Sequence, residues 1–255
     1  GAESTWTNTG NLFVGIIGTG ALNIQNGGAV SNAFGFIGNV SSSLGTATVD
    51  GAGSTWTNTG TLKVGAYGAG TLNVQNGAAV SSGWGNIGGQ SESLGTATVD
   101  GADSTWTNTG DLAVGRFGTG TLNVKDGGEV SNASGFIGRE SDSSGTATVD
   151  GTGSTWSNSN SMYVGGYSTE AGGTGLLAVG TGGTVNVGDT LKVWNAGTVS
   201  LNGGAINTGN FVNAGGALDF NDGTLTVNGG VFDNGGPADF AIDGSEASYL
   251  PTLRL

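Results

Sequence analysis

Acidic side chains are the main chemically reactive group of this chain. It carries 19 Asp and Glu against 6 Lys and Arg, and it contains neither His nor Cys. Without His it lacks the usual general base and the commonest transition-metal ligand. Two pairs of acids stand close together, Glu140 with Asp142 and Asp126 with Glu129. Both pairs lie in turn-like segments, whereas glycoside hydrolysis needs two acids on neighbouring strands, so we predict no catalytic residues.

A recurring aspartate offers a second kind of chemistry, the binding of a hard cation. Asp50, Asp100 and Asp150 each stand in a Val-Asp-Gly turn and could hold Ca²⁺ weakly. The Gly-Gly-x-Gly-x-Asp nonapeptide that wraps Ca²⁺ in calcium-binding β-rolls is missing. We therefore predict no cofactor and no metal site, while weak Ca²⁺ binding at these Asp-Gly turns stays open.

Threonine and asparagine form a third group, whose spacing suits a regular surface. They alternate with apolar residues, as in Gly45 to Val49 and Gly70 to Val74, and alternate residues of a strand face the same side. Stacked strands would align them in two ranks, about 7 Å apart along a strand and about 4.8 Å apart between strands. The candidate surface array consists of Thr46, Thr48, Thr71, Asn73, Thr96, Thr98, Thr121, Asn123, Thr146 and Thr148.

An internal repeat positions all of these residues. Residues 1–50, 51–100 and 101–150 align without insertion, and each copy divides into two similar halves of equal length. Each half holds three short runs that alternate apolar and polar residues, separated by glycine-containing turns. Three strands and three turns make one coil of a parallel β-solenoid, in which like residues stack on like. We predict an all-β fold of about ten coils, with three short strands per coil.

Coil length is expected to change once along the chain. Residues 1–174 are predicted to form a regular solenoid of 25-residue coils, made of the three repeats and a degenerate fourth. Residues 175–255 are predicted to continue the same solenoid with shorter coils. We therefore expect one continuous elongated core without a domain boundary.

Tryptophan and asparagine recur once per copy and are predicted to be structural. Inward-pointing tryptophans would alternate along the stack with smaller valines and so fill the interior evenly. A row of tryptophans pointing outward would instead suit carbohydrate stacking. The tryptophans are Trp6, Trp56, Trp106 and Trp156, and the valines are Val30, Val80 and Val130. A ladder of turn amides is expected along the axis, formed by Asn8, Asn58, Asn108 and Asn158.

The charge balance limits the possible partners. A formal net charge of −13 and a pI near 4.1 argue against nucleic acid, because counter-ion release needs a basic surface. With six basic residues we also expect no anionic membrane or polyanion as a partner. No apolar stretch approaches the length of a membrane span, so we expect no membrane insertion by this segment.

Two runs carry a resemblance to a known family. They are Gly-Ala-Gly-Ser-Thr-Trp-Thr-Asn-Thr-Gly-Thr-Leu-Lys-Val-Gly at 51–65 and Gly-Thr-Leu-Asn-Val-Gln-Asn-Gly-Ala-Ala-Val at 70–80. Together with their counterparts over residues 1–165, they resemble the passenger repeats of bacterial autotransporter-like surface proteins. The resemblance implies a right-handed parallel β-helix, exported to the cell surface and adhesive or structural in role.

We therefore expect a non-enzymatic extracellular protein of the bacterial cell surface, either an adhesin or a segment of a structural fibre. Its partners would be a glycan or protein at a cell surface, or copies of itself end to end. The chain begins within a repeat, without a capping helix, so we expect residues 1–19 to continue into another coil. Two alternatives stay open, an ice-binding β-solenoid and a polysaccharide-degrading β-helix enzyme.

Overall fold

The computed structural model describes residues 3–235 and 252–254 of the chain, and every regular element in them is a β-strand. The strands pair in parallel and form a right-handed β-helix, a β-solenoid of about nine turns. The fold class predicted from the repeat is therefore confirmed, with about nine turns where the sequence predicts about ten coils, the partial first coil included. Each coil has three sides, here called faces 1, 2 and 3 in the order in which a regular coil visits them.

Face 1 has the longest strands of the regular coils, because apolar and polar residues alternate there without interruption. Its strands, numbered in chain order, are β3 (Thr19–Gln25), β6 (Leu44–Asp50), β9 (Ala69–Gln75), β12 (Leu94–Asp100), β15 (Thr119–Lys125), β18 (Ser144–Asp150), β21 (Thr174–Val179) and the first parts of β23 (Gly197–Ala214) and β24 (Ala217–Val227). Ala47 lies between Leu22 and Leu72. Small and large inward side chains thus alternate from coil to coil, as predicted, and keep the interior filled.

Face 2 contains the recurring tryptophans. Its strands are β1 (Thr5–Thr7), β4 (Ala29–Asn32), β7 (Thr55–Asn58), β10 (Ala79–Ser82), β13 (Thr105–Asn108), β16 (Glu129–Asn132), β19 (Thr155–Asn158), the first part of β22 (Thr184–Trp194), the middle of β23, the end of β24 and β26 (Thr252–Arg254). Trp56, Trp106 and Trp156 are fully buried, as expected for core residues. Trp6 differs: β1 is the first described strand of this face and has one neighbouring strand, so the Trp6 side chain is 48% exposed.

Face 3 has the shortest strands. They are β2 (Leu12–Val14), β5 (Gly35–Ile37), β8 (Thr61–Val64), β11 (Trp84–Ile87), β14 (Leu112–Val114), β17 (Gly135–Ile137), β20 (Met162–Val164), the ends of β22 and β23, and β25 (Phe232–Asp233). In the three copies, every second coil has an inward glycine here. A Cβ on Gly85 would lie 2.5 Å from Leu112 Cδ1 and 3.1 Å from Trp106 Cζ2, so the large neighbours leave room for glycine alone.

Buried amides join the tryptophans of face 2 to the preceding coil. The Trp56 indole N–H donates to Asn32 Oδ1 at 2.6 Å, and Asn32 Nδ2 donates to Asn58 Oδ1 at 2.7 Å. The third copy repeats this arrangement, and in the second copy Ser82 takes the place of Asn32. Asn58, Asn108 and Asn158 lie at strand ends inside the solenoid, so for these three the turn ladder expected from the sequence is a buried network. Asn8 instead bonds within its own turn, where it donates to Asn11 O and accepts from Gly10 N.

The coil length changes where the repeat loosens. Gly145 pairs with Gly175 and Gly175 pairs with Gly197, so a coil longer than the regular ones is followed by a shorter one. Parallel pairing nevertheless passes from β18 to β21 without interruption. The extra residues of the longest coil form a small hairpin at 165–174, closed by an antiparallel bridge between Gly166 and Ala171. This insertion lies beside face 3.

Candidate functional site

The predicted Thr/Asn array lies on the outer side of face 1. Thr46, Thr71 and Thr96 are paired neighbours in one rank, which continues through Thr121 and Thr146. The second rank alternates Thr and Asn, and all ten side chains alternate with buried residues of the core. The structure therefore brings the ten predicted residues together on one regular surface.

The Asp-Gly turns lie at the edge of this face, and side chains of the neighbouring coil contact two of the three aspartates. Asp50 Oδ1 accepts a hydrogen bond from Asn76 Nδ2 at 2.6 Å, and Asp100 Oδ2 lies 2.9 Å from Lys125 Nζ. The hydrogen bond to Asp100 raises the pKa of Lys125. Among the residues that the structure describes, no group of three or more acids is arranged to hold a metal ion.

The two acidic pairs noted in the sequence lie in turns or beside them. Asp126 and Asp142 adopt positive φ values of 53° and 64°, as turn residues do. Glu140 Oε1 lies 3.4 Å from Arg139 Nε.

The described part of the chain also contains no helix long and apolar enough to cross a bilayer.

Face 3 is where the three copies of the repeat differ most. All three copies carry different residues at nine positions, and eight of these lie on face 3 or in the turns beside it. In the first copy the nine positions are Glu3, Asn11, Phe13, Ile16, Ile17, Phe34, Asn39, Val40 and Ser42. Only Glu3 lies elsewhere, before face 2. Each copy therefore gives this one face its own chemistry.

Basic and aromatic side chains are concentrated on face 3. Four of the five cations whose side chains the structure describes are Lys63, Arg116, Arg139 and Lys192, which lie on this face or in the turns that follow it. Several of them lie over rings of the same face: Lys63 Nζ is 5.5 Å from the Phe36 ring, and Lys192 Nζ is 3.7 Å from the Trp194 ring. Such cation–π contacts fix the cations in place.

A groove of about 250 Å³ crosses this face at the third copy. Ala113 forms its floor, since the equivalent residues Phe13 and Lys63 are much larger. The groove is lined by Thr61, Trp84, Gly85, Asn86, Asp111, Ala113, Arg116, Phe136 and Arg139. Trp84 and Asp111 lie before the strands of face 3 or at their starts, and the two arginines lie in the turns after them. The groove therefore has an arginine side and a tryptophan–aspartate side.

Arg139 lies against two aromatic rings that stack on each other. Its guanidinium carbon lies 4.9 Å from the centroid of the Phe136 ring and 4.5 Å from that of Tyr167. Phe136 and Tyr167 in turn stack at 5.3 Å. Tyr167 belongs to the inserted hairpin, and its carbonyl oxygen accepts a 2.7 Å hydrogen bond from the Trp194 indole. The insertion thus supplies one of the two rings that Arg139 contacts.

Burial and mutual repulsion lower the pKa values of cations in the groove and beside it. Burial lowers the pKa of Arg116, and the charge of Arg139 lowers it further, while Glu140 opposes the shift. Burial and the charge of Arg116 likewise lower the pKa of Lys63. In the described residues, the buried Nε atoms of Arg116 and Arg139 form no hydrogen bond, although Arg139 Nε lies 3.4 Å from Glu140 Oε1. The arginine side thus carries more positive charge than its own acids neutralise.

Trp84 forms a flat, exposed platform at the opposite side. Its side chain is 54% exposed and lies over Gly110 of the next coil, where a Cβ would collide with the indole. Phe34 lies over Gly60 in the same way. At the next equivalent pair of positions the chain has Ser134 and Asn160. The aromatic ring and the glycine beneath it therefore occur together.

Comparison with known proteins gives no identity to this site. No protein-family model, no curated protein and no solved structure matches the chain. What can be stated of its class is that it is a repeat protein with a β-solenoid fold.

Sequence reasoning missed the groove for two reasons. The net charge gave no sign of a local cluster of basic side chains, because the 19 acids of the whole chain outnumber its cations. The array on face 1 was predicted instead because its residues repeat most regularly. The positions at which all three copies disagree were the signal that could have found face 3.

Proposed function

We propose that the chain is part of a non-enzymatic adhesin of the bacterial cell surface, in which a β-solenoid presents face 3 to a glycan or protein. The resemblance to autotransporter-like passenger repeats supports the class and the extracellular location. The observation that carries the proposal is the concentration of eight of the nine fully divergent positions on or beside one face. A structural fibre built end to end would require the coil ends to match and gives no reason for one side to vary.

The invariance of the rest of each copy fits the same role. Core residues and turn glycines must be kept for stacking, so a repeat protein can change its binding surface only where side chains point outward. Nearly identical face 1 strands and divergent face 3 strands lie in the same coils. If the protein binds through face 3, its binding specificity can therefore change without affecting the fold.

The test exchanges face 3 chemistry between copies of the full chain. One variant carries the second-copy residues in the third copy: Asp111→Thr, Ala113→Lys, Arg116→Ala and Phe117→Tyr. The control variant carries Thr48→Asn and Thr98→Asn on face 1, where both neighbouring coils already have Asn. Binding to arrays of glycans and of cell-surface proteins is compared for the three proteins. Their thermal stabilities are measured in parallel.

We expect the face 3 variant to bind a different set of ligands at nearly unchanged stability, and the control to bind as the parent does. Failure of the parent to bind any ligand would contradict an adhesive role. A ligand set altered by the control but not by the face 3 variant would place the binding surface on face 1 instead.

A further inference from the structure

We propose that the groove over Ala113 binds an acidic sugar, with Arg116 and Arg139 holding its carboxylate and Trp84 supporting its ring. The assignment rests on the proposed adhesive function and adds the chemical class of the ligand.

The arginine side is arranged for an anion. Arg139 N donates to Gly115 O at 2.9 Å and Glu140 N donates to Arg116 O at 3.2 Å, so the two arginines come from turns that stack directly. The buried Arg116 Nε forms no hydrogen bond within the described residues, Arg139 Nε lies near Glu140 Oε1 alone, and the charges of the two arginines repel each other. Both arginine side chains line the groove. A carboxylate there would accept from their guanidinium groups and neutralise the repulsion, and arginine favours carboxylates because its planar fork matches their two oxygens.

The charge of the surroundings favours a ligand with one negative charge. The charged side chains that line the groove are Arg116, Arg139 and Asp111, two cations against one acid, which leaves a single excess positive charge in the lining. The whole chain carries −13. A long polyanion would therefore be repelled beyond the groove, whereas one carboxylate would be neutralised within it.

The tryptophan side favours a sugar ring over a simple carboxylate. The exposed face of Trp84 offers a rigid apolar surface to the C–H face of a pyranose, and its edge remains polar. Beside it, Asp111 Oδ1 already accepts from Ser134 N at 3.1 Å. A carboxylate has further lone pairs, so Asp111 can also accept from a sugar hydroxyl.

The size of the groove limits the ligand to about one ring. Its volume of about 250 Å³ lies just below the roughly 300–1,000 Å³ typical of sites for drug-sized molecules. Ala113 sets this size, because the Phe of the first copy at the same place would fill the space. A terminal or side-branch sugar thus fits better than an internal stretch of polymer.

The experiment compares two probes that differ only at C6. Methyl β-glucuronide carries a carboxylate there and methyl β-glucoside a hydroxymethyl group. Binding of each to the full chain, and of acetate as a carboxylate without a ring, is measured by calorimetry and by saturation-transfer NMR. We expect the glucuronide to bind at least about tenfold more tightly, since a charge-assisted bidentate hydrogen bond is lost in the glucoside.

Variants taken from the other copies separate the parts of the site. Arg116→Ala, Ala113→Phe and Trp84→Ser each introduce a residue that another copy has at that position, and each should weaken glucuronide binding about tenfold or more. Lys125→Gln removes a cation from face 1 and is expected to change nothing. Far-UV circular dichroism verifies that each variant is folded.

Each other outcome contradicts a different statement. Equal binding of glucuronide and glucoside, still lost in Trp84→Ser, would overturn the carboxylate assignment and leave the adhesive function standing. Equal binding of acetate and glucuronide, indifferent to Trp84→Ser, would reduce the site to a general anion site. No binding of either sugar would overturn the acidic-sugar site, while the array experiment decides the adhesive function independently.

Discussion

Face 1 and face 3 are built from the same coils, yet they have opposite surfaces. Face 1 repeats Thr and Asn with little change from copy to copy, and its one described lysine, Lys125, is paired with Asp100. Face 3 has different residues in each copy and carries four cations, several of them over aromatic rings. Identical backbone and identical core therefore do not require identical surfaces.

The difference shows where a stacked fold leaves freedom. An inward side chain contacts the coils on both sides, so changing it requires compensation in the neighbours. An outward side chain on face 3 contacts little except its own rank. Ala113, Phe13 and Lys63 occupy the same position in three copies without any change in the strands beneath. Solenoids can thus acquire a local site without altering their repeat.

The largest expected effect comes from breaking the core that all three faces share. Trp56→Ala removes a fully buried indole between Val30 and Val80 and should destabilise the chain by about 3–5 kcal/mol through the cavity left behind. The free energy of unfolding is measured by urea denaturation followed by circular dichroism. Because repeat arrays can unfold in parts, the midpoints of two probes are compared.

The matched control is the exposed tryptophan of face 3. Trp84→Ser should change the free energy of unfolding by no more than about 0.5 kcal/mol, as is usual for surface positions. Similar losses for Trp56→Ala and Trp84→Ser would show that face 3 is not independent of the core, and the contrast between the faces would fail.

A smaller effect is expected in the buried amide network, where the copies differ by one chemical replacement. Asn32→Ala leaves the Trp56 indole N–H and Asn58 Oδ1 without their partner and should cost about 1–3 kcal/mol. Asn32→Ser should cost less, because Ser82 accepts from Trp106 and donates to Asn108 in the second copy. The same denaturation experiment measures both. A Ser variant no better than Ala would mean that the hydroxyl cannot bridge this pair.

The fold could be predicted from the sequence because the repeat determines it. Half-repeats of equal length, each with three alternating runs, permit few structures other than a three-sided solenoid, and the inward Ala47 and Leu72 followed from volume alternation. The one-residue offset that pairs Val80 with Trp56 was also visible, since the turn at 51–54 is one residue longer than the turn at 76–78.

The groove could not be predicted in the same way. It depends on the ring of Tyr167, which reaches Arg139 from an inserted hairpin without a counterpart in the other copies. It depends also on the small side chain of Ala113, which leaves an open space only because the side chains around it are larger. Periodicity predicts what recurs, and this site consists of residues that do not recur.

The smallest effect is expected on face 1, and it tests the ice-binding alternative. Thr96 lies in the middle of its rank between Thr71 and Thr121, with its side chain outward. Thr96→Tyr should alter the free energy of unfolding by no more than about 0.5 kcal/mol, because an aromatic residue is also favourable on an exposed strand. The parent chain is expected to show no thermal hysteresis, since Asn interrupts the second rank in every other coil. If hysteresis were measured and Thr96→Tyr abolished it, the uniform face and not the divergent one would be the functional surface.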